Sequence, residues 1–197
     1  MPFQQHEQNG LVWFTADILH TVPHGFSTRL GGVSPAPWDS LNLRPNQGDG
    51  PEALRENYRR FFAALELDET RAVLSQQTHT DHIRQATATD AGKGVTRPRD
   101  YTDVDALITN VPELSLTVFS ADCGTVLLYD PVRQAIGAVH AGWRGCAAGI
   151  AAKTTQAMAE AYGSRPEDLL AALGPCIGQD CFETDNDVPE AMRVALG

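Results

Sequence analysis

A cysteine and a histidine lie at matching ends of two apolar runs, where together they could bind a metal ion. Cys123 lies two residues before Thr125, where "TVLLYD" begins, and the run "AIGAVH" ends on His140. A symmetric hairpin pairs Asp130 with Ala135, and Thr125 then lies opposite His140. Cys123 points to the same face as Thr125 and therefore as His140, unless an odd loop length reverses one strand. Diagonal neighbours have Cβ atoms roughly 7 Å apart, so a thiolate and an imidazole could share one zinc ion.

A third ligand could come from "QQTHTDHI", a polar segment between two short apolar runs that contains His79 and His82. Either histidine could reach the open end of the hairpin. Two histidines and one cysteine would leave a fourth position for water or substrate, which is typical of catalytic zinc. The residues alone do not choose between the two histidines.

Each of these residues also has a purely structural interpretation. A single cysteine such as Cys123 is often a small buried apolar residue, and a histidine at a strand end often serves only the fold. Gly142 and Gly145 could form a tight turn from strand to helix. A fourth protein ligand, from Cys176 or Cys181, would make the zinc structural and the protein a non-enzymatic binding module.

The elements that must position this chemistry can be read from the hydrophobic pattern. We expect strands at 11–14, 24–27, 72–76, 83–86, 106–109, 114–120, 125–130, 135–140 and 170–174, and helices at 51–67, 146–162 and 188–196. The stretch 28–50 is rich in Gly, Pro, Ser and Asn and predicts a long loop, which is often functional in a compact domain. The fold class is therefore α+β, with mixed or antiparallel sheets covered by helices in a layered α/β/β/α arrangement.

Composition limits the functions that this chain could have. With 197 residues, 42% hydrophobic and 20% charged, we expect a single domain over 1–197. Because no apolar run is long enough to span a bilayer, we expect no membrane partner. The first residues lack the basic and apolar regions of a signal peptide, which favours a cytoplasmic protein. The net charge of -10 argues against a nucleic-acid partner, since a polyanion needs a basic surface.

Seven segments resemble one known family, in the order in which that family has them: "HGFSTRLGGVS", "SLNL", "QTHTDHI", "DALIT", "ADCGTVLLYDP", "AVHAGWRG" and "GPCIGQDCFE". They are similar to the laccase-domain proteins, also called multicopper polyphenol oxidase-like or peptidoglycan-editing proteins. Several members are described as zinc-dependent purine nucleoside phosphorylases. The resemblance implies that His79, Cys123 and His140 are zinc ligands, and it chooses His79 over His82. Copper could substitute for zinc at such a site.

The implied reaction takes small-molecule substrates, a purine nucleoside and inorganic phosphate. Phosphate attacks C1′ of adenosine, inosine or methylthioadenosine while the base leaves, and the resemblance also allows deamination of adenosine in the same pocket. Arginine can hold phosphate oxygens in a bidentate manner, and Arg29 and Arg144 are the candidates. Asn42 and Gln77 could contact ribose or phosphate, and Asp122 could orient a metal ligand.

This chain departs from the family pattern in three places. Thr80 stands where a glycine usually follows the first ligand histidine. Phe182, Glu183 and Thr184 replace the usual Tyr-Glu-Val. Family members also continue for several dozen residues beyond the point that corresponds to Gly197, so we expect their C-terminal segment to be missing here.

Two other enzyme classes compete with the phosphorylase hypothesis. A cysteine hydrolase would use Cys123 as nucleophile and His140 as base, which fits an amidase that edits peptidoglycan precursors. Since a zinc-bound thiolate is not free to attack carbon, the two roles of Cys123 exclude each other. A copper-dependent polyphenol oxidase is disfavoured, because a multicopper centre needs more histidines than the six in this chain.

Overall fold

The computed structural model describes residues 2–45 and 47–197. Its mixture of sheets and helices confirms the α+β class. The strands are β1 Phe3–Gln8, β2 Leu11–Ala16, β3 Phe26–Ser27, β4 Ala72–Leu74, β5 Ile83–Gln85, β6 Ala106–Thr109, β7 Ser115–Thr117, β8 Gly124–Asp130, β9 Ala135–Ala141 and β10 Leu170–Leu173. The helices are α1 Pro51–Ala64, α2 Trp143–Ala147, α3 Ile150–Tyr162 and α4 Asp187–Leu196.

The described strands form three sheets. The largest has the order β10-β8-β9-β6-β5, with β5 and β6 parallel and the other neighbours antiparallel. The antiparallel strands β1, β2 and β3 form the second sheet. The third is the parallel pair of β4 and β7. The sheets are therefore mixed, as the sequence predicts.

Two of these sheets are stacked between helices. The helix α3 packs through Ile150 and Met158 on one face of the five-stranded sheet. Tyr129 on the other face of that sheet packs with Ala16 of the three-stranded sheet. The opposite face of β2, which carries Trp13, contacts α1 and β4. Because residues alternate between the faces of a strand, this packing gives the predicted order of helix, sheet, sheet and helix.

The hairpin of β8 and β9 has the register predicted from its sequence. Asp130 pairs with Ala135, and Thr125 pairs with His140. The Asp130 carboxylate accepts hydrogen bonds from the backbone N–H groups of Val132 and Arg133 at 2.8 and 3.0 Å, which stabilises the turn between the strands. Four residues connect the two strands. Because this number is even, Cys123 and His140 lie on the same face of the hairpin, as predicted.

The helix predicted at 146–162 is in fact two helices, α2 and α3. Gly149 separates them with a φ of 75°, a left-handed conformation in which an α-helix cannot continue. The helix α3 then ends at Gly163, which has a φ of 72°. The short helix α2 thus carries Trp143 and Arg144 immediately after the end of β9.

The strand β1 was not predicted, because nearly all of its side chains are exposed and show no apolar alternation. It pairs with β2 through a two-residue turn at Asn9 and Gly10, both with positive φ, as hairpin turns require. Several predicted strands are shorter than expected; β7, for example, covers only Ser115–Thr117. In the part of the chain that the structure describes, no helix is long and apolar enough to cross a bilayer.

Candidate metal centre

The structure brings His79, Cys123 and His140 together. One potential ligand atom from each lies within 4.8 Å of the other two. The two imidazole rings meet edge to face, with centroids 5.0 Å apart and an interplanar angle of 81°. His140 is buried, Cys123 is half-buried and His79 is exposed. Of the two histidines that the residues left open, His79 is therefore the one that joins the cluster of described residues.

Cys123 lies immediately before β8, and Gly124 pairs with Ala141 at the end of β9. Burial raises the pKa of the Cys123 thiol, and the nearby Asp122 raises it further. Cysteine nucleophiles instead have a lowered pKa. Without a metal ion, this thiol therefore lacks the environment that activates a nucleophilic cysteine.

His79 lies in the loop between β4 and β5 and has a φ of 65°. A positive φ is uncommon for residues other than glycine, and here the backbone is held by hydrogen bonds. The N–H groups of Thr78, His79 and Thr80 all donate to the carboxylate of Asp105, at 3.0 to 3.1 Å. Burial of the ring lowers the pKa of His79, as do the nearby His140 and the positive charges of Arg44 and Arg144. The neutral imidazole, which binds metals, is therefore favoured.

His140 is oriented by the same carboxylate. Its Nδ1 donates to Asp105 Oδ1 at 2.7 Å, and both side chains are buried. Burial alone would raise the pKa of Asp105, but the hydrogen bonds from His140, Thr78 and Thr80 outweigh it and hold the pKa below its ordinary value. Because an ionised carboxylate can only accept, Nδ1 of His140 carries a proton, and Nε2 is the ring nitrogen that could bind a metal.

The side-chain amides of Gln77 and Asn42, predicted to bind substrate, form hydrogen bonds within the protein. Gln77 accepts from the N–H of Phe119 at 2.6 Å and donates to its carbonyl at 2.8 Å, which ties the His79 loop to the segment before Cys123. Asn42 donates to Asp49 at 2.9 Å, and its side-chain oxygen accepts from the backbone N–H of Arg44 at 3.0 Å. Both amides brace loops, and their contact with a substrate stays a prediction.

Two arginines lie close enough to influence the cluster. The positive charges of Arg44 and Arg144 both lower the pKa of His79, and Arg144 stacks on Trp143 at 4.1 Å. Neither guanidinium forms an ion pair with any carboxylate among the described residues. Arg29, the other predicted phosphate ligand, pairs with Asp39 at 3.2 Å and also donates to the Asp39 carbonyl. The structure thus adds Arg44, which the sequence analysis missed.

A cavity of about 1400 Å³ lies beside the segments that flank Cys123 in sequence, through Ala121 and Thr125. Its wall includes Arg29, Asn42 and Arg44, and it reaches the segment before Cys123 through Ser120 and Ala121. The three cluster residues themselves lie outside its described lining. Ligand cavities commonly have volumes of about 300–1,000 Å³, so this one has room for a nucleoside.

The sequence also suggested Cys176 as a fourth ligand and Asp122 as a residue that orients a ligand. Cys176 follows β10, and backbone hydrogen bonds from Gly174 to Thr125 and from Ile177 to Asp122 bring its segment alongside Cys123. Even so, among the residues described, the compact group contains His79, Cys123 and His140 without Cys176. The carboxylate that contacts a cluster histidine is that of Asp105, and the role of Asp122 in orienting a metal ligand stays a prediction.

The donor set fits a transition-metal ion such as zinc. Two imidazole nitrogens and one thiolate sulfur are ligands that zinc prefers in proteins, and copper also accepts them. The spacing within 4.8 Å lets the three atoms approach a single ion. Three protein ligands would leave one position of a tetrahedral site open.

The family model described as "multi-copper polyphenol oxidoreductase laccase" matches residues 23–196. The chain belongs to this family. The matched range of this laccase family contains all three cluster residues and the loop around Asn42. The resemblance inferred from the seven sequence segments is therefore confirmed.

Curated relatives of this laccase-family chain are named purine nucleoside phosphorylases. The protein YfiH of Shigella flexneri is 39% identical over 166 residues, which are 84% of this chain and 63% of that protein. The relative from Deinococcus radiodurans is 37% identical over 174 residues, covering 88% of this chain and 64% of the relative. The chain thus spans slightly less than two thirds of the length of these relatives.

A solved structure shows the same fold. The crystal structure of a hypothetical protein YfiH from Bacillus licheniformis superimposes with a TM-score of 0.89 at 34% sequence identity. The match covers 98% of this laccase-family chain and 71% of the solved one. The sheets and helices described above are therefore an arrangement that occurs in an experimentally determined relative.

Asp105 is the most important residue of the site that the sequence analysis did not single out. Its signal was a carboxylate directly before the apolar run "ALIT", where a core strand begins. Buried charges are rare unless they are paired. An acidic residue next to a fully buried strand could therefore have indicated a buried partner, although not which one.

Proposed function

We propose that this chain is a zinc-dependent purine nucleoside phosphorylase, with His79, Cys123 and His140 as the metal ligands. The observation that carries the proposal is the grouping of two imidazoles and one thiol within 4.8 Å. The names of the curated relatives supply the reaction class. The substrates would be a purine nucleoside such as adenosine, inosine or methylthioadenosine, together with inorganic phosphate.

The ligand atoms would be His140 Nε2, Cys123 Sγ and one ring nitrogen of His79. A zinc ion held there would supply positive charge that orients an anionic oxygen and lowers the cost of its approach. The protein itself supplies the remaining positive charge. Arg144 and Arg44 have no described carboxylate partner and act on His79, so we assign them to the phosphate oxygens.

The nucleoside would occupy the part of the cavity nearest to Cys123. The cavity lining includes the polar residues Ser120, Thr125 and Asn42 and the aromatic Phe119. Such a mixture of apolar walls and few polar groups is typical of small-molecule sites. Arg29 at the same wall is held by Asp39, and we propose it as a secondary contact to the substrate.

One observation favours the rival cysteine hydrolase. Asp105 orients His140 as the third member of a Cys-His-Asp triad orients its base. The presence of His79 in the same cluster favours metal binding instead, because a Cys-His-Asp triad needs no second histidine beside the thiol. The alternative would act on an amide, such as a peptidoglycan precursor.

The deciding experiment is a chromatographic assay of the purified, zinc-loaded chain with adenosine, with and without phosphate. We expect adenine and ribose 1-phosphate only when phosphate is present. Inosine formed without phosphate would show deamination by the same protein. If neither base nor inosine forms from adenosine, and inosine and methylthioadenosine also release no base, the phosphorylase proposal is wrong, and muropeptides become the next substrates to test.

Two cysteine variants separate the metal site from the hydrolase. Cys123→Ala should lose bound zinc and turnover together, whereas loss of turnover with full zinc content would favour a nucleophilic cysteine. The matched control is Cys146→Ala. Cys146 lies in α2 and donates to the Ala141 carbonyl at 3.4 Å, close to the cluster but outside it, so this variant should keep both zinc and turnover.

A further inference from the structure

We infer that Asp105 is a positioning residue that holds both histidines of the cluster in the geometry for metal binding. The inference rests on the metal centre proposed above. Asp105 lies directly before β6 and is fully buried, with 0% of its surface exposed. An ionised group in such a place is strongly unfavourable unless it is hydrogen-bonded and paired.

Five hydrogen bonds reach the Asp105 carboxylate, and all come from the two segments that carry the histidines. Oδ2 accepts from the Thr78 N–H at 3.0 Å, from the Thr80 N–H at 3.1 Å and from the Thr80 hydroxyl at 2.9 Å. Oδ1 accepts from the His79 N–H at 3.1 Å and from His140 Nδ1 at 2.7 Å. The same oxygen thus contacts both histidine residues.

The backbone of Asp105 joins the same elements. Its carbonyl accepts from the His140 N–H at 2.8 Å, and its N–H donates to the His82 carbonyl at 3.1 Å. The carboxylate therefore fixes the His79 loop, including its positive φ, relative to β9. It also fixes the tautomer of His140 that leaves Nε2 available. One side chain consequently holds the backbone that carries one ligand and the ring of the other.

Thr80 adds a feature specific to this chain. A glycine, which the resemblance leads one to expect at this position, could offer only its N–H. The Thr80 hydroxyl supplies a further hydrogen bond to Oδ2. The threonine should make the loop more rigid, since a loop held by more bonds samples fewer conformations.

The test measures zinc affinity by competition with a chromophoric chelator, for the wild-type chain and Asp105→Asn. Asparagine keeps the size of the side chain, but its NH₂ group faces backbone donors and its charge is lost. We expect zinc to bind about 10- to 100-fold more weakly, as for other residues that orient metal ligands. With Co²⁺ in place of zinc, the visible absorption of the bound ion should change in shape or intensity.

A matched control separates positioning from general loss of stability. Asp90 is also buried, with 1% of its surface exposed, and it accepts from the N–H and hydroxyl of Thr87. Asp90→Asn should lower the melting temperature but leave zinc affinity unchanged. If both asparagine variants lose zinc affinity equally, or if Asp105→Asn loses none, the inference is wrong.

A milder variant covers the case in which Asp105→Asn does not fold. Thr80→Val keeps the shape of the side chain and removes the hydroxyl bond to Oδ2, together with the longer bond that the hydroxyl accepts from the His82 N–H at 3.4 Å, so zinc should bind about 2- to 10-fold more weakly. Unchanged affinity in this variant would then overturn the inference. A wild-type chain that binds no zinc at all would overturn the metal centre as well, which distinguishes the two failures.

Discussion

Gly142, between β9 and α2, leaves room for all three cluster side chains. A Cβ atom at this position would lie 2.8 Å from His79 Cδ2, 3.3 Å from His140 Cε1 and 3.5 Å from Cys123 Sγ. Its backbone has φ -65° and ψ 162°, which any residue can adopt. The glycine is therefore required by the space that the cluster occupies, whereas the sequence analysis also allowed a role in the turn alone.

Gly142→Ala should weaken zinc binding without unfolding the protein. The added methyl group must displace the exposed His79 ring, and overpacking of this kind costs about 1–3 kcal/mol, or about 5- to 150-fold in affinity. The control is Gly124→Ala, whose Cβ would lie 3.6 Å from the Ala141 carbonyl, an ordinary contact. Chelator competition on both variants tests the prediction, which equal affinities would contradict.

The residues of the site differ in how far the sequence could predict them. Cys123 and His140 follow from strand alternation and hairpin parity, because both depend only on local periodicity. His79 needed the family resemblance, since a polar loop has no periodicity to place it. Asp105 and Arg44 were missed because their roles depend on contacts between distant segments, which no local pattern encodes.

At the scale of elements, strand pairings that follow from a local pattern were predictable, and pairings between distant segments were not. The register of β8 and β9 was predictable because Asp130 and Pro131 mark the turn between two apolar runs. The parallel pairing of β5 with β6 and of β4 with β7 was not, because it joins short strands through long connections. The break at Gly149 was hidden by the alanine-rich sequence around it, which favours a continuous helix.

An ionic network around the buried Asp90 stabilises the segment that follows β5. Asp90 accepts from Arg84 of β5 at 2.8 Å and from Lys93 at 2.7 Å, and Lys93 also pairs with Asp100 at 2.7 Å. Burial alone would raise the pKa of Asp90, but the bonds from Lys93, Thr87 and Arg84 outweigh it and lower that pKa. The network therefore contributes to stability while Asp90 is ionised.

Asp90→Asn should reduce the free energy of unfolding at neutral pH by about 1.5–3 kcal/mol, the range for hydrogen bonds to a charged group. Because the folded-state pKa is lowered, this stabilisation is fully present above the unfolded pKa of about 3.9 and is lost as the pH falls toward the folded pKa. Urea unfolding between pH 7 and pH 3 should show the two proteins converging only below about pH 4. A difference that stays constant over this range would contradict the assignment.

At the scale of the whole molecule, the cluster is where separate parts of the chain meet. His79 comes from the loop between β4 and β5, Cys123 from the start of β8 and His140 from β9. The chain carries a net charge of -10, yet Arg44 and Arg144 lie near the cluster without a described acidic partner. Anion binding would thus depend on local charge against an unfavourable overall field.

Zinc should therefore stabilise the whole fold. Since the unfolded chain does not hold the three ligands together, free zinc at 100 times its dissociation constant adds about 2.7 kcal/mol, which corresponds to a rise in melting temperature of about 5–10 °C for a chain of this size. Thermal melting with zinc, and again after addition of a chelator, measures the shift and its reversal. Cys123→Ala should show almost no shift. An equal shift in that variant would mean that the stabilising zinc binds elsewhere, for example to surface carboxylates of this acidic protein, and the cluster would then not be the metal centre.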